Sequence, residues 1–369
     1  MLYPTDDLRI NWIKVLLPPI FLEEELPASE GEFNTIHTFR REICDILDRH
    51  DDRLLVVVGP CSIHDVDAAL EYAHLLKGES EKLSDTLRIV MRVYFEKPRT
   101  TSGWKGLIND PGLDESFRIN DGLKLARRLL LALVHMGLPA ATEFLDMVVP
   151  QYVMGLISWG AVGARTVESQ IHRQLASGLS CPVGFKNATS GDVQVAIQAI
   201  QSAAQPHCFL GHTKHGQTAI FATSGNRYCH VILRGGGGGV NYTSDSVARV
   251  SMQLRNAGVP ARLMIDCSHG NCGKDVRKQF EVCHDVAGQV GKGEQSIVGV
   301  MVESNLVEGV QELRRGRPLV YGQSVTDPCL GWAATQEALN VLAEATRSRQ
   351  CVSGRARVSG SVTALDVSK

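Results

Sequence analysis

The chain has 369 residues, 44% hydrophobic and 21% charged, so it can build a substantial core in one large domain or two of ordinary size. Its formal net charge of −2 argues against a general nucleic-acid binder or an anionic-membrane binder, so any basic field must be local. No run approaches the ~18 apolar residues of a membrane span, and the opening segment carries Asp6, Asp7 and Arg9 where a secretory signal would be apolar.

Residues 1–50 read as an arm ahead of the main domain. Leu17-Pro-Pro-Ile-Phe is extended, because proline removes a donor and disfavours helix before it. Phe33, Ile36, Phe39, Ile43 and Leu47 have helical spacing. The arm is expected to pack on a neighbouring subunit or to plug the base of the main domain. Residues 54–58 are continuously apolar, as in a strand buried on both faces, and stop at Gly59-Pro60 before the thiol of Cys61. A helix over 65–76 opens on an acidic residue that suits its positive end. A second buried run ends at Arg92, and residues 93–106 form a long loop dense in cations and glycine. An amphipathic helix over 121–136 closes on Gly137. Further buried runs end at Glu143, Arg165 and Lys186, with helices over 166–178 and 192–204. Residues 207–223 read as an inserted hairpin turning near His215-Gly216. The remaining runs end at Arg234, His269 and Glu303, with a five-glycine loop at 235–239, a helix over 244–258 and a loop carrying Asp327. A last helix runs from Ala333 to about Arg347, and the tail over 348–369 is expected to be disordered.

That makes eight buried strands, each closing on a reactive or charged side chain. Eight parallel strands in a chain this long most economically close into a (β/α)8 barrel, assigned to residues 51–347, with its chemistry at the C-terminal strand ends. Packing explains the apolar runs. It does not explain why they end in Cys, Arg, Glu, Lys or His, and the chain reads as an enzyme.

Arg92, Lys97, Arg99, Arg165, Lys186 and Arg234 would converge on one barrel mouth. Such a cluster repels itself and makes sense only when an anion completes it; guanidinium forks suit phosphate oxygens. One or two phosphorylated substrates are therefore expected. Barrel closure sets the first strand beside the eighth and the eighth beside the seventh, so Cys61, Glu303 and His269 become neighbours, with Asp327 the weakest member. A thiolate, an imidazole and carboxylates suit a divalent transition metal such as Mn, Fe, Co or Zn. The five glycines match no nucleotide-binding pattern. His212-x-x-His215 reads as solvated, and a metal role for Cys267 or Cys272 has little support. The 10 cysteines contain no Cys-x-x-Cys and are expected to be mostly buried hydrophobes of a reducing, cytoplasmic protein.

Several motifs then stand out in order: Gly59-Pro-Cys-Ser-Ile-His, Arg92-Val-Tyr-Phe-Glu-Lys-Pro-Arg-Thr-Thr, Gly163-Ala-Arg165, Pro182-Val-Gly-Phe-Lys-Asn, Ile232-Leu-Arg-Gly-Gly, Asp266-Cys-Ser-His-Gly-Asn, Val302-Glu-Ser-Asn and Thr326-Asp-Pro. Together they resemble type I 3-deoxy-arabino-heptulosonate-7-phosphate (DAHP) synthase of the feedback-regulated microbial class. The resemblance implies condensation of phosphoenolpyruvate with erythrose 4-phosphate, releasing phosphate, as the entry to aromatic amino-acid synthesis. It implies that Arg92, Lys97, Ala164, Arg165, Lys186 and Arg234 bind phosphoenolpyruvate with Glu143 nearby, and that Pro98, Arg99 and Thr100 hold the sugar phosphate. Cys61, His269, Glu303 and Asp327 would hold the metal, Asp327 also facing substrate, and Lys97 or a metal-bound water is the candidate proton carrier. It further implies a homodimer or homotetramer with an aromatic amino-acid effector at Met147, Pro150, Gln151, Leu179, Ser180, Phe209, Gly211 and Phe221, plus Asp6 and Asp7 from an adjoining subunit. Gly211 leans toward tyrosine, with tryptophan and phenylalanine as alternatives. The sequence departs from relatives at Asn187-Ala-Thr-Ser and at the five glycines, where a looser loop after Arg234 is expected. Three rival readings are a Schiff-base aldolase using Lys186, a sister synthase using arabinose 5-phosphate, and an inert regulatory protein that senses an aromatic amino acid.

Overall fold

The computed structural model describes residues 5–314, 317–352 and 354. In chain order the strands are β1 (Leu54–Gly59), β2 (Leu87–Arg92), β3 (Ala140–Glu143), β4 (Trp159–Val162), β5 (Val183–Lys186), β6 (Cys208–His212), β7 (Thr218–Ala222), β8 (Cys229–Leu233), β9 (Leu263–Asp266), β10 (Ile297–Glu303), β11 (Val307–Val310) and β12 (Gln323–Ser324). The helices are α1 (Pro19–Glu25), α2 (Glu30–Leu47), α3 (Val66–Lys82), α4 (Ile119–His135), α5 (Pro150–Val153), α6 (Gln170–Gly178), α7 (Gln194–Ala203), α8 (Ser244–Asn256), α9 (Val276–Gly291) and α10 (Trp332–Val352). Eight of these strands pair in parallel, in the order β1-β10-β9-β8-β5-β4-β3-β2, and close into a (β/α)8 barrel, while β6 pairs with β7 and β11 with β12 outside it. The seam joins β1 to β10, with Gly59 opposite Glu303.

Side-chain parity explains the continuous apolar runs. On β1, Leu54, Val56 and Val58 face the surrounding helices, while Leu55 and Val57 fill the barrel with Val90, Ala141, Trp159, Ile232, Met264 and Met301. Ile43, Ile46 and Leu47 of α2 pack onto that inner layer and close its base. Helix α2 starts with a reciprocal capping box between Ser29 and Glu32. The extended proline segment is tied to the barrel, since Leu17 N–H donates to Asn120 and Tyr152 OH donates to Leu17 C=O. Strands β6 and β7 form an antiparallel hairpin between β5 and β8.

Several boundaries differ from those read off the sequence. Helix α3 continues to Lys82, because Glu79 and Leu83 extend the buried face of Ala73 and Leu76 past the expected end. Helix α6 begins only at Gln170, since residues 164–168 turn after β4. Helix α9 lies between His269 and Ile297, where no helix was expected; its buried face mixes Gln279 and Cys283 with valines and dilutes the apolar period. Helix α10 runs to Val352, past the expected start of the tail, because Arg349 is buried and donates to the carbonyl of Ile297. The rest of the tail, residue 354 apart, lies outside the described residues.

The five-glycine loop is not loose. Gly236 and Gly239 exchange backbone hydrogen bonds, and Gly237 and Gly238 donate to the carbonyls of Thr189 and Ser190 after β5. Gly235 has φ +69°, and a Cβ there would lie 2.4 Å from the Gly270 carbonyl carbon. Glycine here permits close packing of neighbouring loops and does not confer slack.

Candidate active site

The inward parity that fills the barrel also delivers the site. Two residues beyond Val90, Ala141, Gly184, Met264 and Met301 come Arg92, Glu143, Lys186, Asp266 and Glu303, all buried. Cys61 follows β1 across the seam. Arg92 is fully buried: its Nη2 lies 3.1 Å from Glu303 Oε1, its Nε donates to Pro60 C=O, and its guanidinium stacks 3.9 Å over the Tyr94 ring. Its Nη1 has no hydrogen-bond partner, and neither has the buried Oε1 of Glu143. A Cβ on Gly163 would sit 2.2 Å from that Glu143 oxygen, so glycine is what admits the carboxylate. The unpartnered Arg92 donor and the unpartnered Glu143 acceptor, the latter lining the adjacent cavity, leave hydrogen-bonding capacity for a polar ligand.

Cys61, Glu303 and Asp327 bring ligand atoms within 4.8 Å of one another. His269 stands at the margin of this set, with Nε2 3.7 Å from Glu303 Oε1. Its Nδ1 lies 2.9 Å from Asp266 Oδ2, an arrangement that leaves Nε2 for a cation. His269 has φ 56°, a left-handed conformation that costs energy for a side chain of this size. Burial and Glu303 push the Cys61 thiol up, with Lys97 pulling the other way. Lys97 Nζ is 3.2 Å from Cys61 Sγ. Burial alone would lower the Lys97 ammonium, but the sulfur, Glu303 and Glu143 hold it above its ordinary value. Burial likewise opposes ionisation of Asp327, yet Lys97 and Lys274 hold its carboxyl down at about 2. A soft sulfur, two hard carboxylates and an adjacent imidazole fit a divalent transition metal.

Beside this cluster opens a cavity of about 270 Å³ lined by Lys97, Pro98, Arg99, Thr100, Glu143, Ala164, Arg165, Lys186, Arg234, His269 and Asp327, with Ser102, Gly163, Thr189 and Lys274. Arg165 donates to Thr100 Oγ1, joining the loops after β4 and β2. A larger hollow of about 650 Å³ lies outside the barrel between α3 and α4, lined by leucines together with His64, Asp65, Asp67, Arg128 and Tyr321. The smaller cavity, where the charges converge, is the better candidate for chemistry.

Sequence reasoning passed over Asp266, Lys274 and the buried asparagines 187, 241 and 271. Asp266 sits inside the apolar run Leu-Met-Ile-Asp, and its inward parity was the available signal. Lys274 Nζ grips Asp327 Oδ1 at 2.7 Å. Asn187 Oδ1 accepts from the Arg234 N–H and from Asn241 Nδ2; Asn241 Oδ1 accepts from the Gly235 N–H; Asn271 Oδ1 accepts from the Asn241 N–H. No sequence spacing announces such a network. Cys267 and Cys272 are buried near His269 but lie outside the candidate metal set among the described residues.

The residues assigned to effector binding lie around the hairpin. Pro150 and Gln151 are in α5, Met147 precedes it, and Leu179 and Ser180 follow α6. The hairpin is fastened to both, because Lys214 donates to Gln151 C=O and Ser177 Oγ lies 2.6 Å from Thr223 Oγ1. Phe209 and Phe221 stack with centroids 6.1 Å apart. Asp6 and Asp7 are exposed in the arm.

Comparison with known proteins identifies the family and the fold. A family profile described as the DAHP synthetase I family matches residues 25–340. The Phe-sensitive phospho-2-dehydro-3-deoxyheptonate aldolase of Escherichia coli (strain K12) is 59% identical over 350 residues, covering 95% of this chain and 100% of the relative. The Trp-sensitive enzyme of Salmonella typhimurium is 52% identical over 345 residues, covering 94% and 99% respectively. A solved phospho-2-dehydro-3-deoxyheptonate aldolase from Francisella tularensis SCHU S4 superposes with a TM-score of 0.90 at 55% identity, covering 92% of this chain and 99% of that one.

Proposed function

Since the chain belongs to the DAHP synthetase I family, we propose that it condenses phosphoenolpyruvate with D-erythrose 4-phosphate to give DAHP and phosphate, with one divalent transition metal. The observation that carries this reading is the cation-lined cavity that shares Asp327 with the cluster of Cys61, Glu303 and Asp327 and is also lined by His269. Arg92, whose Nη1 lacks a partner, and Lys97 face the phosphoenolpyruvate carboxylate. Arg165, Lys186 and Arg234 take its phosphate, and Arg99 and Thr100 take the sugar phosphate beside Pro98. A divalent ion held by Cys61, His269, Glu303 and Asp327 would supply Lewis acidity toward the aldehyde. The enol carbon attacks the aldehyde carbon, whose π pair moves onto the oxygen, and the Lys97 ammonium delivers a proton to that alkoxide to give the new hydroxyl. Water adds at the carbon bearing phosphate, and the guanidinium groups stabilise charge as phosphate departs. Lys186 is poorly placed for Schiff-base chemistry, because its ammonium is paired with Asp266 at 2.9 Å.

The effector reading favours tyrosine, with phenylalanine and tryptophan as alternatives. A Cβ on Gly211 would fall 2.7 Å from the Phe221 ring, so a serine would move that ring and reshape the pocket. A homodimer or homotetramer would supply Asp6 and Asp7 from an adjoining subunit. The cysteines are all unpaired, which fits a reducing compartment such as the cytoplasm.

Phosphoenolpyruvate consumption with erythrose 4-phosphate tests the reaction. A chelator should abolish activity and Mn(II) should restore it, whereas chelator-resistant turnover with borohydride trapping would refute the metal route. Adding each aromatic amino acid in turn identifies the effector. Gly211→Ser is expected to shift the ratio of inhibition from tyrosine toward phenylalanine.

A further inference from the structure

Asp266 ends β9 with its carboxylate turned inward and fully buried. One of its oxygens, Oδ2, serves two different machines. Lys186 Nζ donates to it at 2.9 Å from the phosphate side of the cavity, and His269 Nδ1 approaches it at 2.9 Å from the ion side. The other oxygen accepts from the Ser268 N–H at 3.0 Å and from the Ser268 hydroxyl, which fixes the carboxylate plane. Ser268 Oγ is also 2.6 Å from His269 Nδ1, so the imidazole is held by two partners on that edge.

A single oxygen shared between an ammonium and an imidazole N–H divides its attraction between them. When an anion draws off the charge of Lys186, more of the carboxylate's attraction falls on His269, and a histidine backed this way is a better ligand at Nε2. In the reverse direction, with a cation held at Nε2 the Nδ1 proton would be drawn toward Asp266 and Lys186 would be freed toward phosphate. Linkage requires the two effects to be equal in size.

We propose that Asp266 is a positioning residue that couples the anion pocket to the ion site, so that phosphoenolpyruvate and the divalent ion strengthen each other's binding through the shared oxygen. This rests on the reading of the cavity given under Proposed function.

The test is a binding cycle without erythrose 4-phosphate, so that no turnover occurs. Mn(II) affinity is measured by chelator competition with and without phosphoenolpyruvate, and phosphoenolpyruvate affinity by calorimetry with and without Mn(II). In the wild-type chain each ligand should tighten the other by the same factor, about tenfold or more. Direct attraction between cation and anion contributes to that factor, so the informative comparison is Asp266→Asn, which keeps the shape and removes the charge. Its Mn(II) affinity should fall by about 10–100-fold, as for other partners of metal-bound histidines, and most of the coupling factor should vanish with it. Asp266→Asn with wild-type coupling, or a wild-type chain with none, overturns the proposal. A wild-type measurement needs no variant to fold: the hydrogen-bonded Nδ1 proton resonance of His269 should move when phosphoenolpyruvate is added without metal, and a stationary resonance overturns the proposal. Failure of either ligand to bind the wild-type chain would overturn the reading of the cavity itself, whereas binding of both without coupling removes this proposal alone.

Discussion

Arg92 and Glu303 are 0% and 1% exposed in their side chains, and each is the other's nearest opposite charge. Removing one member of such a pair strands the other in a medium where an unpaired charge costs several kcal/mol. Arg92→Met is therefore expected to destabilise the metal-free chain by about 3–5 kcal/mol in urea unfolding and to abolish turnover. Glu96 offers a pH signature. Burial, with the nearby Asp146 and Glu143 carboxylates, pushes its carboxyl from the ordinary 4.5 up to about 8. The folded chain thus holds a proton that the unfolded chain releases. The stabilisation is complete below the unfolded value and is lost as pH rises through the folded one. The thermal midpoint of Glu96→Gln should gain on wild type from about pH 5 to about pH 8 and match it at lower pH. Flat, parallel profiles would exclude this. At this scale much was legible, because Cys61, Arg92, Glu143, Lys186 and Glu303 each stand where an apolar run stops. Asp266 was not, because it stands where the run was still being counted as strand.

The loops after β5, β8 and β9 act as one element. Asn187, Asn241 and Asn271 bridge them, and every bond they make ends on backbone or on one another. Asn241→Ala would leave the buried Gly235 N–H without an acceptor, a loss of about 1–3 kcal/mol. Arg234 lies one residue away, so the KM for phosphoenolpyruvate should rise several-fold while the KM for erythrose 4-phosphate changes little. Equal changes in both would point to general loosening. Strand and helix identities followed from period and from glycine or proline punctuation, and parity carried the barrel interior. These loop-to-loop contacts could not be read, since each joins residues tens of positions apart through side chains with no characteristic spacing. The five glycines invited the inference of slack, and the fold uses them for close approach.

For the whole molecule, the most conspicuous surface is apolar. Trp12, Ile13 and Val15 of the arm are 66%, 78% and 82% exposed, and Leu210 and Ile220 of the hairpin are 74% and 77% exposed. Apolar side chains this open are typical of surfaces covered in an assembly. Ile13→Asp combined with Val15→Asp should reduce the mass measured by light scattering and weaken effector inhibition, while phosphoenolpyruvate binding persists. An unchanged mass would rule out the arm as an assembly contact.

The seam between β1 and β10 has a temporal consequence. Cys61 is synthesised early, but the groups that face it, His269, Glu303 and Asp327, emerge more than two hundred residues later. A nascent chain therefore carries its sulfur for most of translation without the neighbours that would make it a cation site. If the cluster takes up a cation, loading must follow closure of the ring, and a variant slow to close it would accumulate with the Cys61 thiol unligated.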